Sequence, residues 1–303
     1  MGNKYTLSIV ILTMNRKEQL LEAINSCLES KMPKEVEFVI VDNCSSDGTK
    51  EAVQQLKKKY PKLHIKYCFQ NRNCGVGGGR SIAFNLAEGK YLYFLDDDAV
   101  ISEESKEHFF IDTIKYLDNH KNVASITTKI RDVVLNFDRD VDKSTRNIDG
   151  YNVIFKYLGG SHFLRKSAFS SPLYFDIEYG SEEYAPSIKA QAKGYWHVYK
   201  EDVWVVHKPK INKWVTGTDS MKKTLCCGIG VSYATKRILY PRIFVPILWA
   251  AYRMRCHKYL HIYEGAYETV RSIVKEVIKK NKTSKISIAT VIRLYREFGL
   301  TVF

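Results

Sequence analysis

Three consecutive carboxylates, Asp96, Asp97 and Asp98, follow five strand-forming residues, Tyr91 to Leu95. Successive side chains of an extended segment point to opposite sides, so Asp96 and Asp98 share one direction and Asp97 faces away. Two like charges at the mouth of a buried strand repel unless a cation sits between them. A hard divalent cation with oxygen ligands, carrying a diphosphate on its free positions, meets that need. An acidic turn closing a strand is the plain alternative. Other reactive residues follow apolar runs in the same way: Thr13 after Leu7 to Leu12, Asp42 after Val36 to Val41, and His207 after Val205-Val206. A glycine-rich stretch, Gly75 to Arg80, and a paired Glu182-Glu183 complete the set.

The elements that position these residues alternate. Leu7 to Thr13 is the continuous apolar run of a strand buried on both faces of a parallel sheet. Apolar residues at Leu20, Leu21, Ile24 and Leu28 predict a helix. Val36 to Val41 is a second strand, and the polar loop Asp42 to Thr49 leads into a helix over about Lys50 to Lys59. Leu63 to Phe69 is a third strand, and a helix runs from the glycines through Leu86. The acidic strand is then fourth in a β-α-β-α-β-α-β series, which predicts an α/β fold with a mainly parallel sheet. Ligands of such sheets gather at the carboxyl ends of the strands, where Thr13, Asp42 and the triplet stand. Beyond it the pattern predicts a helix at Glu103 to Leu117, a strand at Val123 to Ile130 and a long polar loop from Arg131 to Gly150. A strand-like run at Gly159 to Arg165, a helix from Glu183 to Lys193-Gly194, and strands at Trp196 to Tyr199 and Val203 to Val206 follow.

The composition is that of a globular protein, 45% hydrophobic and 13% aromatic over 303 residues. Seven cysteines without a C-x-x-C, and no signal peptide at Met1 to Lys4, read as reduced thiols of a cytosolic protein. The net charge of +14 is confined to Lys208 to Phe303, which holds 19 Lys and Arg against 5 Asp and Glu; residues 1–207 are balanced at 28 of each. That asymmetry suggests a neutral catalytic or binding domain, 1–207, followed by a basic helical region, 208–303, meant for an anionic surface. Ile238 to Tyr252 is apolar but too short to span a bilayer. Lys236, Arg237, Arg242, Arg253, Arg255 and Lys258 surround Leu239, Phe244, Leu248 and Trp249. Ile262, Ala266, Val270, Ile273, Val274, Val277 and Ile278 share a helical face. The expectation for 236–280 is contact with an anionic membrane surface rather than with nucleic acid; a homo-oligomer interface or a plain packing appendage is the alternative.

Ser8 to Arg16, Val41 to Thr49, Gly75 to Arg80 and Phe94 to Asp98 together resemble, in order and spacing, the motifs of family 2 glycosyltransferases. The resemblance covers about two thirds of the chain. It implies the GT-A nucleotide-diphosphosugar fold and an inverting, metal-dependent transferase using Mn or Mg. On that footing Thr13, Asn15, Arg16, Asp42 and Arg80 serve the nucleotide sugar, a UDP- or dTDP-sugar, with Asp42 accepting the ring N–H of a pyrimidine. Asp96 goes to the ribose side, Asp97 supports, and Asp98 and His207 hold the metal, with Asp96 as a further ligand. Counting back from Gly194-Tyr195 puts Glu183 on the usual base position, with Glu182 and Asp176 as fallbacks; two carboxylates at a helix start are the plain alternative. Lys189 stands where the family often has Arg. Gly159 and Gly160 also resemble family elements, and with Trp204 they form the acceptor side. The Gln-x-x-Arg-Trp motif of processive members is missing, with only Ile211 to Trp214 in its place, which implies one sugar per encounter. The tail resembles those of bacterial rhamnosyl- and galactofuranosyl-type enzymes acting on lipid-linked acceptors in polysaccharide synthesis, at the cytoplasmic face of the membrane. Two other readings compete. A sugar-phosphate nucleotidyltransferase would need a triphosphate loop after Thr13, and an inactive sugar-binding scaffold would have no use for an intact acidic set.

Overall fold

The structure, a computed structural model, describes residues 4–134, 136–208 and 217–303, so the Ile211 to Trp214 stretch lies outside the described residues. The first half follows the expected alternation: β1 (Tyr5–Thr13), α1 (Lys17–Leu28), β2 (Val36–Asp42), α2 (Thr49–Lys59), β3 (His64–Phe69), α3 (Gly75–Leu86) and β4 (Gly89–Asp96). β1 lies between β2 and β4, parallel to both, with Thr13 opposite Asp42 and Leu12 opposite Asp96. Three strands therefore end level with one another. Leu7, Ile9, Val10 and Ile11 are fully buried because helices cover both faces of β1.

The second half adds β5 (Ala99–Ile101), α4 (Phe109–Asn119), β6 (Val123–Asp132), β7 (Phe137–Asp138), β8 (Lys143–Ile148), β9 (Tyr151–Ile154), β10 (Ser161–Arg165), α5 (Tyr184–Ala192) and β11 (Trp196–His207). Among the described residues the strands form one mixed sheet, ordered β3-β2-β1-β4-β10-β6-β11-β9-β8, with β5 on β11 and β7 on β6. Three expectations need correction. The helix expected from Glu103 is a short 3-10 turn followed by α4, because Ser102 and Ser105 tie that turn to Trp204 on β11: the Ser102 N–H donates to the Trp204 carbonyl at 3.1 Å and the Trp204 N–H to Ser105 Oγ at 3.0 Å. The stretch read as a loop, 131–150, contains β7 and β8. β8 is a polar edge strand held by pairing with β9, so it carries no apolar alternation to read. The two strands expected after Trp196 are one, the interruption being a bulge between Lys200 and Trp204.

Among the described residues four α-helices follow: α6 (Asp219–Leu239), α7 (Val245–Leu260), α8 (Ala266–Lys280) and α9 (Ile288–Phe298). Their core is shared with the sheet domain. Phe155, Phe175, Ile177 and Ile188 pack in one cluster with Val231, Ala234, Leu239, Val277, Val291 and Leu294. Arg146 of β8 also pairs with Glu297 of α9 at 2.8 Å. The basic region is therefore bound to the sheet domain through a common core. That packing turns part of the expected surface set inward. Lys236 is wholly buried, its ammonium donating to the carbonyls of Phe303 at 3.0 Å and Thr301 at 3.2 Å, and Leu239 and Leu248 are buried too. Ile243, Trp249 and Met254, by contrast, are 70%, 54% and 67% exposed. No helix among the described residues is long and apolar enough to cross a membrane.

Candidate active site

The level strand ends open on one cavity of about 1330 Å³, walled on the far side by the 176–183 segment and by α6 and α8. Its floor is the acidic triplet. Asp96 ends β4, and the turn after it is closed by the Lys208 N–H donating to the Asp98 carbonyl at 2.9 Å. That turn brings the ends of β4 and β11 together. Ligand atoms of Asp96, Asp98 and His207 lie within 4.8 Å of one another. His207 Nε2 sits 3.2 Å from Asp98 Oδ1, while its Nδ1 sits 3.2 Å from buried Asp132 at the end of β6. A carboxylate behind the imidazole fixes the ring and raises its ligand strength. Two carboxylates and one oriented imidazole are a donor set suited to a hard or borderline divalent cation, so these residues fit the metal that the resemblance implies.

Arginines now face those carboxylates. Arg16 Nη1 reaches Asp98 Oδ2 at 2.6 Å and Asp97 Oδ1 at 2.8 Å, so Asp97 joins Asp98 on one cation rather than simply facing away. Arg139, from the segment between β7 and β8, has Nη2 2.9 Å from His207 Nε2. Burial works against ionisation of Asp98, but its hydrogen bond to His207 and the charges of His207 and Arg16 outweigh it and hold the group near about 2. Asp97 goes the other way: burial prevails over Arg16 and raises it to about 6.

Arg80, buried within α3, links the metal end to the opposite wall. Its Nη2 meets Asp96 at 2.6 Å, and its Nη1 lies 3.0 Å from Glu182 and 3.6 Å from Glu183. Burial opposes the guanidinium charge, yet Asp96 and Glu182 raise its basicity above the usual value. In this arrangement Arg80 positions carboxylates. Glu183 is the residue before the first turn of α5, and Glu182 is pushed up to about 7 by burial and by the charge of Glu183, against the pull of Arg80. Gly159 makes room for the pair: a Cβ there would stand 2.5 Å from Glu183 Oε1 and 3.1 Å from Arg80 Nη1. Gly160 has a φ of +103°, a backbone conformation open mainly to glycine. Asp176 lines the cavity from an exposed position.

Other expected residues stand differently. Thr13 lines the cavity, buried at the end of β1. Asp42 is fully buried, its oxygens accepting from the Ser45 N–H at 2.8 Å and the Tyr67 hydroxyl at 2.5 Å. Its neighbour Asn43 faces the cavity instead and latches the start of α3, accepting from the Cys74 N–H at 2.8 Å. Asn15 (φ +53°) braces the loop after β2, exchanging hydrogen bonds with Ser45 and Ser46. Trp204 is held against Ser105 with Lys129 over its ring, and it does not line the cavity. Lys189 lies over the Phe175 ring, 4.8 Å from its centre. Sequence reasoning missed Arg139, Asn43 and Asp132. Asp132 carried a faint signal, a carboxylate two residues beyond the expected Val123 to Ile130 strand; Arg139, deeper in the stretch read as loop, carried none.

A family model described as glycosyl transferase family 2 matches residues 8–170, more than half of the chain. The poly(ribitol-phosphate) β-N-acetylglucosaminyltransferase TarS of Staphylococcus aureus is 31% identical over 115 residues, 37% of this chain and 19% of TarS. A Campylobacter jejuni GalNAc(5)-diNAcBac-PP-undecaprenol β-1,3-glucosyltransferase is 38% identical over 93 residues, 30% of this chain and 29% of that one. The matched segments thus span well under half of those relatives. Among solved structures, a TarS fragment in complex with UDP-GlcNAc superposes with a TM-score of 0.58 at 16% identity, over 98% of this chain and 89% of that one. The Pyrobaculum calidifontis mannosyltransferase PcManGT, in complex with GDP-Man and Mn²⁺, gives 0.61 at 18% identity, over 99% and 81%. The fold is that of the GT-A enzymes, and the chain belongs to glycosyl transferase family 2, a glycosyltransferase family.

Proposed function

We propose that the chain transfers a sugar from a UDP- or dTDP-sugar to a hydroxyl of a glycan or lipid-linked saccharide, with inversion and one sugar per encounter, in cell-surface polysaccharide synthesis. The observation that carries this reading is the meeting, in one cavity, of the Asp96-Asp98-His207 set with the Glu182-Glu183 pair, joined through Arg80. Asp98 and His207, with Asp96, would hold Mn²⁺ or Mg²⁺, which when bound supplies positive charge to the departing diphosphate. Arg16 and Arg139 face the same place and add to that charge. Glu183 takes the proton of the acceptor hydroxyl at a carboxylate oxygen as that hydroxyl attacks the anomeric carbon. The bond to the diphosphate breaks, and its electron pair leaves with the nucleotide. Glu182, pushed up to about 7 by burial and by its neighbour Glu183, retains its proton more readily than an ordinary carboxyl.

The pyrimidine part of the reading now rests on Thr13 at the cavity wall and on the likeness to the TarS complex with UDP-GlcNAc, since Asp42 is occupied by Ser45 and Tyr67. For the acceptor, support comes from the relatives whose names specify poly(ribitol phosphate) and a diphosphoundecaprenol glycan. Peripheral binding at the cytoplasmic face of an anionic membrane fits the tail. Between Asp219 and Glu264 there is no Asp or Glu, and exposed Ile243, Ile247, Trp249 and Met254 run beside exposed Arg242 and Arg253. Self-association through that face is the competing role.

A thermal-shift panel of UDP-, dTDP- and GDP-sugars with and without Mn²⁺ tests the donor, because a tight ligand raises the melting temperature. Release of nucleoside diphosphate from the stabilising donor supports transfer. Release of pyrophosphate would identify a nucleotidyltransferase, and binding without any turnover a scaffold.

A further inference from the structure

Beyond the catalytic carboxylates a second cavity of about 380 Å³ opens between the 176–179 segment, α6 and α8. It adjoins the first, with Asp176, Ile177, Glu178, Tyr179, Lys223 and Glu276 lining both. Its volume is at the lower end of what small-ligand pockets occupy, about 300–1,000 Å³. Cys227, Val231, Ile273 and Val277 make its back apolar, and charged groups stand only around the rim.

We propose that this cavity is an acceptor subsite for an uncharged, hydroxyl-bearing ring, supplied by the C-terminal helices; the proposal rests on the glycosyltransferase reading above. Position is the first argument. The cavity adjoins the wall of the first that the 176–179 segment, α6 and α8 form, while Asp96, Asp98, His207, Glu182 and Glu183 line only the first, so a molecule seated in it stands apart from the metal end. Charge is the second. Four carboxylates (Asp176, Glu178, Asp219, Glu276) face two ammonium groups, Lys222 and Lys223, and Lys280, which lines the first cavity, pairs with Glu276 at 2.6 Å, so the carboxylates remain in excess by one. Lys223 is moreover taken up by Glu178 at 2.7 Å. A phosphate would meet net negative charge here, whereas the arginines that suit a diphosphate, Arg16, Arg72 and Arg139, line the other end of the large cavity. Carboxylates accept hydrogen bonds from hydroxyls, and an apolar back fits the C–H face of a sugar ring. Any phosphate an acceptor carries is then held outside this cavity, with the ring inside it.

Saturation-transfer NMR on the full chain with UDP and Mn²⁺ tests the assignment. The probes are a set of neutral p-nitrophenyl glycosides and, separately, glycerol phosphate and farnesyl diphosphate. The variant is T269W, which fills the cavity from an exposed rim position on α8, with T269S as the conservative partner that leaves it open. At least one glycoside is expected to bind the wild type and T269S and to bind T269W at least about 10-fold more weakly. The two phosphates are expected to show no T269W-sensitive binding. Glycosides that bind T269W as well as the wild type would overturn the proposal, as would phosphates that replace them in the cavity or glycosides that fail to bind at all. Melting with UDP and Mn²⁺ is recorded on each protein. A shift there without glycoside binding removes the subsite and keeps the transferase reading, while no shift with any nucleotide removes the reading itself.

Discussion

Arg80, beneath the active cavity, and Lys236, in the helical core, are both shut off from solvent, at 6% and 0% exposure. Their surroundings differ. Arg80 meets Asp96, Glu182 and Glu183, and its charge is reinforced. Lys236 meets the carbonyls of Thr301 and Phe303 and lies over the rings of Tyr184 and Phe155, and burial lowers its basicity far below that of an ordinary lysine. Charge is therefore held for chemistry at the sheet end and withdrawn into packing at the helical end. A basic count along the sequence does not distinguish these uses. The excess of +14 in the last third is not a measure of how many cations reach a partner.

The contrast is broken most severely at the sheet end. Glu183→Gln cannot take a proton, so turnover should fall by about 10²- to 10⁴-fold while the donor still raises the melting temperature. Equal turnover in Glu183→Gln and loss in Glu182→Gln would move the base to the neighbour. Asp98→Ala should cut turnover at least roughly 10²-fold and remove the Mn²⁺-dependent part of the nucleotide thermal shift, since a charged anchor is lost. An unchanged Mn²⁺ response would exclude Asp98 as a ligand.

The helical end separates into surface and core. Neutralising Arg237, Arg242, Arg253 and Lys258 together should weaken binding to anionic vesicles by roughly 10²- to 10³-fold, with steep salt dependence, each cation near the surface contributing about 1 kcal/mol. Co-sedimentation reads this directly, and indifference to anionic lipid would assign the face to self-association. Lys236→Ala should leave vesicle binding alone and lower stability by about 2–4 kcal/mol in urea unfolding, from the cavity and the lost donor to Thr301, while Arg255 still donates to the Phe303 oxygen.

The finest test is one of pH. Glu182 is raised from 4.5 to about 7, so the folded protein keeps a proton that the unfolded chain has released across that window. Stability from this group is present below pH 4.5, falls as pH rises to about 7, and is level above it. Wild type should lose on the order of 1–3 kcal/mol more than Glu182→Gln between pH 5 and pH 8. Parallel pH profiles would show that Glu182 is ionised throughout.

The sheet end was legible in the sequence because its strands are short-range signals: apolar runs closed by Thr13, Asp42 and Asp96 to Asp98. Residue type at a strand end, however, does not say which way the side chain turns. Asp42 turned inward because Tyr67 of β3 and the Ser45 N–H offered hydrogen bonds, partners set by strand pairing rather than by spacing. Arg139 was hidden in β7–β8, whose strands exist through pairing at a polar edge. Lys236 and Leu239 read as an amphipathic surface because helical periodicity assigns one face to a core, whereas α6 packs against α5, α7 and α8.

The clearance at Gly159 limits how this site can vary. A single added carbon would press on both Glu183 and Arg80, one of them the proposed base and the other the link to Asp96. Both contacts are side-chain tips, so an added methyl is met by the carboxylate and the guanidinium moving aside rather than by a shift of backbone, and each tip that moves leaves its working position. A library randomised at this position and selected for transfer should therefore be enriched in glycine, with alanine folded but slowed and larger residues slower still. Variation here is graded through the reach of Glu183 and Arg80, whereas change elsewhere on the cavity wall leaves that pair untouched.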